Sequence, residues 1–308
     1  MSAVRVATRA SLLARTQSER VAAALRERLD RDVTLVEVTT QGDADQRTPL
    51  AELGGVGVFV TAVREAVLRG DADVAVHSLK DLPTAPAPGL RVAAYPERED
   101  ARDVLVARDG ATLESLPAGA TVGTGSPRRA AQLRSARPDL DVVDVRGNVD
   151  TRLRKVADGD LDAVVLAYAG LARLDRLDAV SQVLEPDQML PAPGQGALAV
   201  ECRDVEPDVA LLAALRDIDD DATRAAVTAE RSLLAALEAG CSAPVGALAT
   251  VSEVDGEVFV HLTGAVVSSD GRSQVRTSVT GSAGDAEGVG RELADDLLAA
   301  GAPGLLVL

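Results

Sequence analysis

The sequence predicts an α/β protein: two doubly wound lobes followed by a small α+β C-terminal domain. Three observations carry this expectation. Short apolar runs alternate with amphipathic helical segments between residues 4 and 170, the pattern of β-α-β units that assemble into sheets with helical crossovers. The length, 308 residues, exceeds what one compact core ordinarily organises and suggests two or three domains. Beyond residue 245 the alternation gives way to period-two runs joined at Asp-Gly dipeptides, which is a hairpin signature.

Taken in order, VRVATR (4–9) reads as a strand, SLLARTQSERVAAALRERL (11–29) as an amphipathic helix and VTLVEVTT (33–40) as a strand. A helix, VFVTAVREAVLRG (58–70), and a strand, DVAVHSL (73–79), complete a unit expected to form a parallel sheet. Residues 41–57, QGDADQRTPLAELGGVG, form a connection of the length found in active-site lids. LRVAAYPERED (90–100) and DVLVARDG (103–110) mark the crossing into a second unit. There TVGTGS is a strand and turn, PRRAAQLRSA a helix with Pro127 at its first position, LDVVDVRG a strand, VDTRLRKVADG a helix and DAVVLAYAG a strand. PAPGQGALAVECR (191–203) reads as a hinge plus strand, and residues 206–240 as helical. Two hairpins, turning at Asp255-Gly256 and Asp270-Gly271, and a last helix from Asp285 close the chain.

Apolar residues make up 46% of the chain but aromatics only 1%, so the core is built from Ala, Val and Leu. No run approaches the roughly 18 apolar residues of a membrane span, and the amino terminus lacks a signal-peptide pattern. A cytoplasmic location without membrane partner is expected. Two cysteines, Cys202 and Cys241, and two histidines, His77 and His261, support neither a disulfide framework nor a metal site. The formal charge is −16, and the only lysines are Lys80 and Lys155, a surface like that of proteins from salt-loving organisms. Such a charge argues against a nucleic-acid partner, which needs a basic footprint. One segment opposes the rest: residues 121–155 hold eight basic and four acidic side chains.

That segment opens with TVGTGSPRRAAQLR. Gly123, Gly125 and Asp144 partly fit a dinucleotide fingerprint, but an arginine stands where the third glycine is needed. The hydroxyls of Thr124 and Ser126, backbone N–H groups at a helix start and the forks of Arg128 and Arg129 suit carboxylates instead. Solvated surface arginines are the competing interpretation. RGNVDTRLRK repeats the theme with Arg146 and Arg152, while Arg154 covers a helix face with its stem. In VHSLKDLP, Lys80 and Asp81 follow an apolar strand; Asp81 is either an electrostatic stabiliser of a cationic centre or half of a loop ion pair. His77 beside them fits a core or supporting position. Cys202, inside ALAVEC, fits a small buried hydrophobe; Cys241, in EAGCSAPVG, follows a helix end, where its sulfur is accessible as a nucleophile or attachment point.

Together RVATRASLLA, HSLKDLPT, VGTGSPRRAAQL, RGNVDTRL, LAYAGLARL, LPAPGQGALAVECR and GCSAPVG, in that order over nearly the whole chain, closely resemble the porphobilinogen deaminase (hydroxymethylbilane synthase) family. The resemblance implies a monomeric transferase of tetrapyrrole biosynthesis. It joins four porphobilinogen units head to tail and releases ammonia, building on a dipyrromethane cofactor. It also implies two periplasmic-binding-protein-like lobes, 1–97 with 197–216 and 98–196, and a third domain, 217–308. By the same resemblance Cys241 carries the cofactor through a thioether and Asp81 is catalytic. Lys80, Ser78, Thr124, Ser126, Arg128, Arg129 and Arg146 contact the cofactor, and Arg9, Ser11, Arg146, Arg152, Arg173 and Gln195 the substrate; no metal is implied. The chain departs from the family in having Val56 and no lysine in the lid segment, though Phe59 is kept, and in having Pro127 in place of a more usual leucine. A noncatalytic anion-binding receptor is the alternative from a different class, and it has no use for Cys241.

Overall fold

The computed structural model describes residues 2–39, 57–206, 208–239 and 243–306. The lid segment with Val56, and Cys241 with its neighbours Gly240 and Ser242, lie outside the described residues, as does the side chain of Phe59. The chain divides into two compact units: residues 1–99 with 197–224, and residues 100–196 with 225–308.

The first unit begins with β1 (Val4–Arg9), α1 (Leu12–Arg26) and β2 (Val33–Val38). Ser11 caps α1, its hydroxyl accepting from the Ala14 N–H, as a residue at that position satisfies an otherwise orphaned donor. Ser18, Val21, Ala22 and Leu25 are buried along one stripe at helical spacing, and the three apolar ones pack with Val4, Val6 and Val33 of β1 and β2. Leu25 is fully enclosed, so truncation to alanine would cost about 2–5 kcal/mol. The next elements are α2 (Gly57–Leu68), β3 (Val74–Ser78) and β4 (Leu90–Ala94).

The second unit repeats this plan with β5 (Asp103–Ala107), β6 (Thr121–Gly123), α3 (Pro127–Ala136), β7 (Asp141–Val143), α4 (Val149–Ala157), β8 (Ala163–Ala167), α5 (Tyr168–Arg173) and β9 (Gln182–Leu184). Ser126 and Asn148 cap α3 and α4, and Pro127 opens α3. The chain then supplies β10 (Leu198–Arg203) and α6 (Val209–Asp217) to the first unit. After α7 (Asp221–Ala236) come β11 (Val245–Val254), β12 (Glu257–Val267), β13 (Gln274–Ser282) and α8 (Ala286–Ala299).

Both five-stranded sheets are mixed, a correction to the parallel sheets expected. Their orders are β2-β1-β3-β10-β4 and β7-β6-β8-β5-β9. In each the fourth strand runs against its neighbours: β10 against β3 and β4, β5 against β8 and β9. These are the strands through which the chain enters or re-enters a unit rather than being laid down by a helical crossover, so the handed β-α-β geometry does not fix their direction. A three-stranded antiparallel sheet, β11-β12-β13, completes the second unit, packed under Leu233, Leu293 and Leu297 of α7 and α8. Asp255 and Gly256, at φ 53° and 81°, form the first hairpin turn, the geometry that Asp-Gly favours.

Candidate functional site

In the first unit the residues singled out lie at the carboxyl ends of β1 and β3. Arg9 ends β1 and Ser11 begins α1. Ser78 ends β3, its hydroxyl bound to the Gln17 amide at 2.9 Å. Lys80 and Asp81 sit in the short 3-10 turn Leu79–Asp81, half-buried. The backbone of this turn is pinned by the Leu79 N–H donating to the Ala197 carbonyl at 3.0 Å.

His77 is buried and supporting. Its Nε2 approaches Glu201 Oε2 to 3.1 Å, and Arg64 of α2 grips the same carboxylate through Nε and Nη2 at 2.8 and 2.7 Å. Burial pushes the Glu201 carboxyl up, but His77 and Arg64 outweigh it and bring the group to about 2. A carboxylate on β10 thus ties α2 and the end of β3 together.

The second unit gathers most of the predicted residues, in an arrangement the sequence did not reveal. Arg128 and Arg129 are 4% and 6% exposed, which rules out solvated surface arginines. Both turn inward to Asp103, the fully buried first residue of β5. Arg128 Nη2 lies 2.8 Å from Asp103 Oδ2, and Nη1 donates to the Leu190 carbonyl at 2.6 Å. Arg129 donates from Nε and Nη2 to Asp103 Oδ1 at 3.0 and 2.7 Å, and from Nη1 to the Val165 carbonyl at 3.1 Å. Gln195 adds Nε2 to the same carboxylate oxygen at 2.8 Å and to the Ala101 carbonyl at 2.7 Å. Beside it, Arg173 donates to the Gly196 carbonyl at 2.5 Å.

Electrostatically this cluster is out of balance. Two guanidinium groups face one carboxylate in a buried setting. Burial raises the Asp103 carboxyl, but the charges of Arg128 and Arg129, with hydrogen bonds from Arg129 and Gln195, hold it at about 2. Arg128 Nε is buried with no hydrogen-bond partner, and burial lowers the affinity of Arg128 for its proton despite Asp103. Arg152 of α4 is lowered by burial first and then by the charges of Arg129 and Arg146, which Asp144 only partly offsets. An excess of desolvated positive charge favours any anion that reaches it. Thr124 and Ser126 form the turn beside it: Thr124 Oγ1 accepts from the Ser126 N–H, and Ser126 Oγ from the Arg129 N–H.

Gly125 has a packing role, because a Cβ there would stand 2.9 Å from the Val145 carbonyl. A close backbone approach thus accounts for one of the two glycines of the partial dinucleotide fingerprint. Among the described residues no cluster of three or more His, Cys, Asp and Glu side chains is placed to hold a metal. Cys202 is buried and free, and burial pushes its thiol up. Arg154 is exposed, near Thr151 at 3.5 Å, as a solvated helix face implies.

Asp103 was missed by sequence reasoning, although two signals for it exist. An aspartate heads an otherwise apolar strand, DVLVA, and Arg128 and Arg129 share one helix face with buried Gln132 and Leu133 four residues on. A face carrying both leucine and arginine at i, i+4 implies a buried charge and therefore a buried partner.

The model for "Porphobilinogen deaminase, dipyromethane cofactor binding domain" matches residues 4–210, and that for "Porphobilinogen deaminase, C-terminal domain" matches residues 224–299. Porphobilinogen deaminase 1 of Streptomyces coelicolor is 56% identical over 314 residues, covering 99% of this chain and 97% of its own. Porphobilinogen deaminase of Mycobacterium tuberculosis H37Rv is 56% identical over 311 residues, covering 98% of each chain. Among solved structures, a TRAP periplasmic solute binding protein from Pseudomonas putida F1 aligns over 78% of this chain and 83% of its own, at TM-score 0.39 and 10% identity. The two family models together span nearly the whole sequence, and relatives bearing the same name are 56% identical across almost all of it: the chain belongs to the porphobilinogen deaminase family.

Proposed function

We propose that the chain acts as a hydroxymethylbilane synthase, condensing four porphobilinogen molecules head to tail into linear hydroxymethylbilane with release of ammonia. One observation carries this assignment: the buried guanidinium groups of Arg128 and Arg129 share the single carboxylate of Asp103, which leaves positive charge in excess. Porphobilinogen bears an acetate and a propionate, so each added unit brings carboxylates to a site that lacks them. Charge-assisted, bidentate bonds from arginine suit such groups.

The same donor set fits a dipyrromethane, whose pyrroles carry the same acids; the buried Arg128 Nε, with no internal acceptor, supports this fit. When bound, dipyrromethane supplies the pyrrole carbon at which units are added. Cys241 is the proposed thioether attachment, and Ser78, Lys80, Thr124, Ser126, Arg128, Arg129 and Arg146 hold the cofactor. Arg9, Arg146, Arg152 and Arg173 orient substrate carboxylates, with Ser11 and Gln195 as polar positions of the same substrate site. Asp81 accepts hydrogen bonds from pyrrole N–H groups. When the substrate C–N bond breaks and ammonia departs with its electron pair, the Asp81 carboxylate stabilises the cation left behind.

The proposal extends to three domains, 1–97 with 197–216, 98–196 and 217–308, and to a monomeric, cytoplasmic protein. It extends also to adaptation to high salt and to the absence of nucleic-acid and membrane partners. The charge of −16 supports the salt and nucleic-acid parts. No helix among the described residues is long and apolar enough to cross a membrane. Incubation with porphobilinogen tests the central part: ammonia and hydroxymethylbilane should appear in a four-to-one ratio. Binding of porphobilinogen without ammonia release would overturn it.

A further inference from the structure

Glu230 lies on α7 and is fully buried. A glutamate in that position is costly unless its oxygens are satisfied. Oε2 accepts the Gly194 N–H at 2.6 Å and Oε1 the Ala249 N–H at 2.8 Å. The two donors belong to different parts of the second unit. Ala249 is on β11, the edge of the three-stranded sheet. Such an edge presents unpaired N–H groups at every second residue. Here the Pro191 carbonyl accepts from Ala247 at 2.8 Å and Glu230 accepts from Ala249. The Pro191 carbonyl and the Glu230 carboxylate therefore cover the first half of this edge in place of a further strand.

Gly194 belongs to the turn whose next two residues serve the arginine cluster. Gln195 binds Asp103 and lies 3.5 Å from Arg129 Nη2, and the Gly196 carbonyl receives Arg173. Gly194 and Gly196 take φ of 75° and 85°, a backbone region that side chains resist, so the turn holds its shape only where its N–H groups find acceptors. At the other end of the link, β11 begins four residues beyond Cys241.

We propose that Glu230 is a positioning residue for chain elongation: its single carboxylate sets the Gln195–Gly196 turn, and with it Arg129 and Arg173, at a fixed distance from the strand that follows the cofactor-bearing cysteine. This rests on the function proposed above. Loss of either contact lets the carboxylate-binding wall shift against the tethered chain. A displacement of this kind, on the order of 1 Å, lowers turnover by about a hundredfold in enzymes that work by orientation.

Glu230→Gln keeps the volume but replaces one acceptor with an N–H₂ facing a backbone N–H. Glu230→Asp keeps the charge but is too short to reach both donors. Each full-length variant would be compared with wild type well below its unfolding temperature, reading thermal stability, intact mass and steady-state kinetics with porphobilinogen. Both variants should fold and carry the cofactor mass. Their kcat should fall roughly tenfold to a hundredfold, with KM rising less, and adducts of one to three added pyrrole units should accumulate. Wild-type kcat and adduct pattern in folded variants would overturn the proposal. So would failure of both variants to fold, or activity lost only in proportion to unfolded protein, since either makes Glu230 purely structural. Wild-type protein that neither carries an adduct nor consumes porphobilinogen would instead overturn the proposed function.

Discussion

Asp103 holds Arg128 and Arg129 by opposite oxygens of one carboxylate, Oδ2 at 2.8 Å from Arg128 Nη2 and Oδ1 at 2.7 Å from Arg129 Nη2. The two guanidinium groups are thereby fixed side by side, almost wholly buried, with two positive charges facing one carboxylate. Asp103→Asn should leave two buried cations facing a neutral amide. Breaking a buried pair by removing one partner costs about 3–5 kcal/mol. The variant should therefore show a clearly lower unfolding temperature and reduced cofactor loading, checked by calorimetry and intact mass. A wild-type unfolding temperature would mean that the arginines do not depend on Asp103.

Arg152 is held differently, by one bond from Nε to the Gly147 carbonyl at 2.9 Å, in a field of like charge from Arg129 and Arg146 that Asp144 only partly offsets. Arg152→Ala should cost little stability, because it relieves repulsion. It should still lose a charge-assisted contact to substrate of about 1.5–3 kcal/mol, which is roughly tenfold to a hundredfold in kcat/KM. Parallel melting curves and kinetics on this variant and on Arg129→Ala check the contrast, with Arg129→Ala expected to lose both.

Two buried carboxylates predict the acid limit of stability. Asp103 and Glu201 sit at about 2 in the fold against ordinary values of 3.8 and 4.5. A group depressed on folding contributes stability that is fully present above its unfolded value and is lost as pH falls toward its folded one. Stability should therefore hold above about pH 5 and decline steeply between pH 4.5 and 2. Denaturant titrations across that range should give a shallower decline for Glu201→Gln than for wild type, from a lower starting stability.

Asp81 closes the 3-10 turn after β3 and is half-buried. Asp81→Asn preserves shape and removes the charge proposed to stabilise a substrate cation. Turnover should fall by at least about a hundredfold, the scale on which single electrostatic contributors to catalysis act, while the melting temperature stays within a degree or two. Wild-type turnover in folded Asp81→Asn would remove Asp81 from the mechanism.

Local physics made much of this legible from sequence. Ser11, Ser126 and Asn148 announce their helices because a cap acts within three residues, and Asp255-Gly256 announces its turn because φ is a local preference. The carboxylates that organise the interior were not legible. Asp103 depends on arginines 25 and 26 residues later, Glu201 on Arg64 across 137 positions, and Glu230 on backbone N–H groups 19 and 36 residues away. The direction of β5 and β10 escaped for the same reason, since it is set by where the chain crosses between units and not by any pattern within the strand. The arginines of α3 were found by type but placed by fold: a sequence shows that charge is present and not which carboxylate it meets.

The central claim, that the buried arginine excess serves a pyrrole-acid chain anchored at Cys241, is tested most directly by intact-protein mass of freshly purified, active material followed by peptide mapping. The expected result is a mass above that of the polypeptide by two linked pyrrole units, located on the peptide containing Cys241 and absent from Cys241→Ala. An unmodified polypeptide mass in protein that turns over porphobilinogen would contradict it.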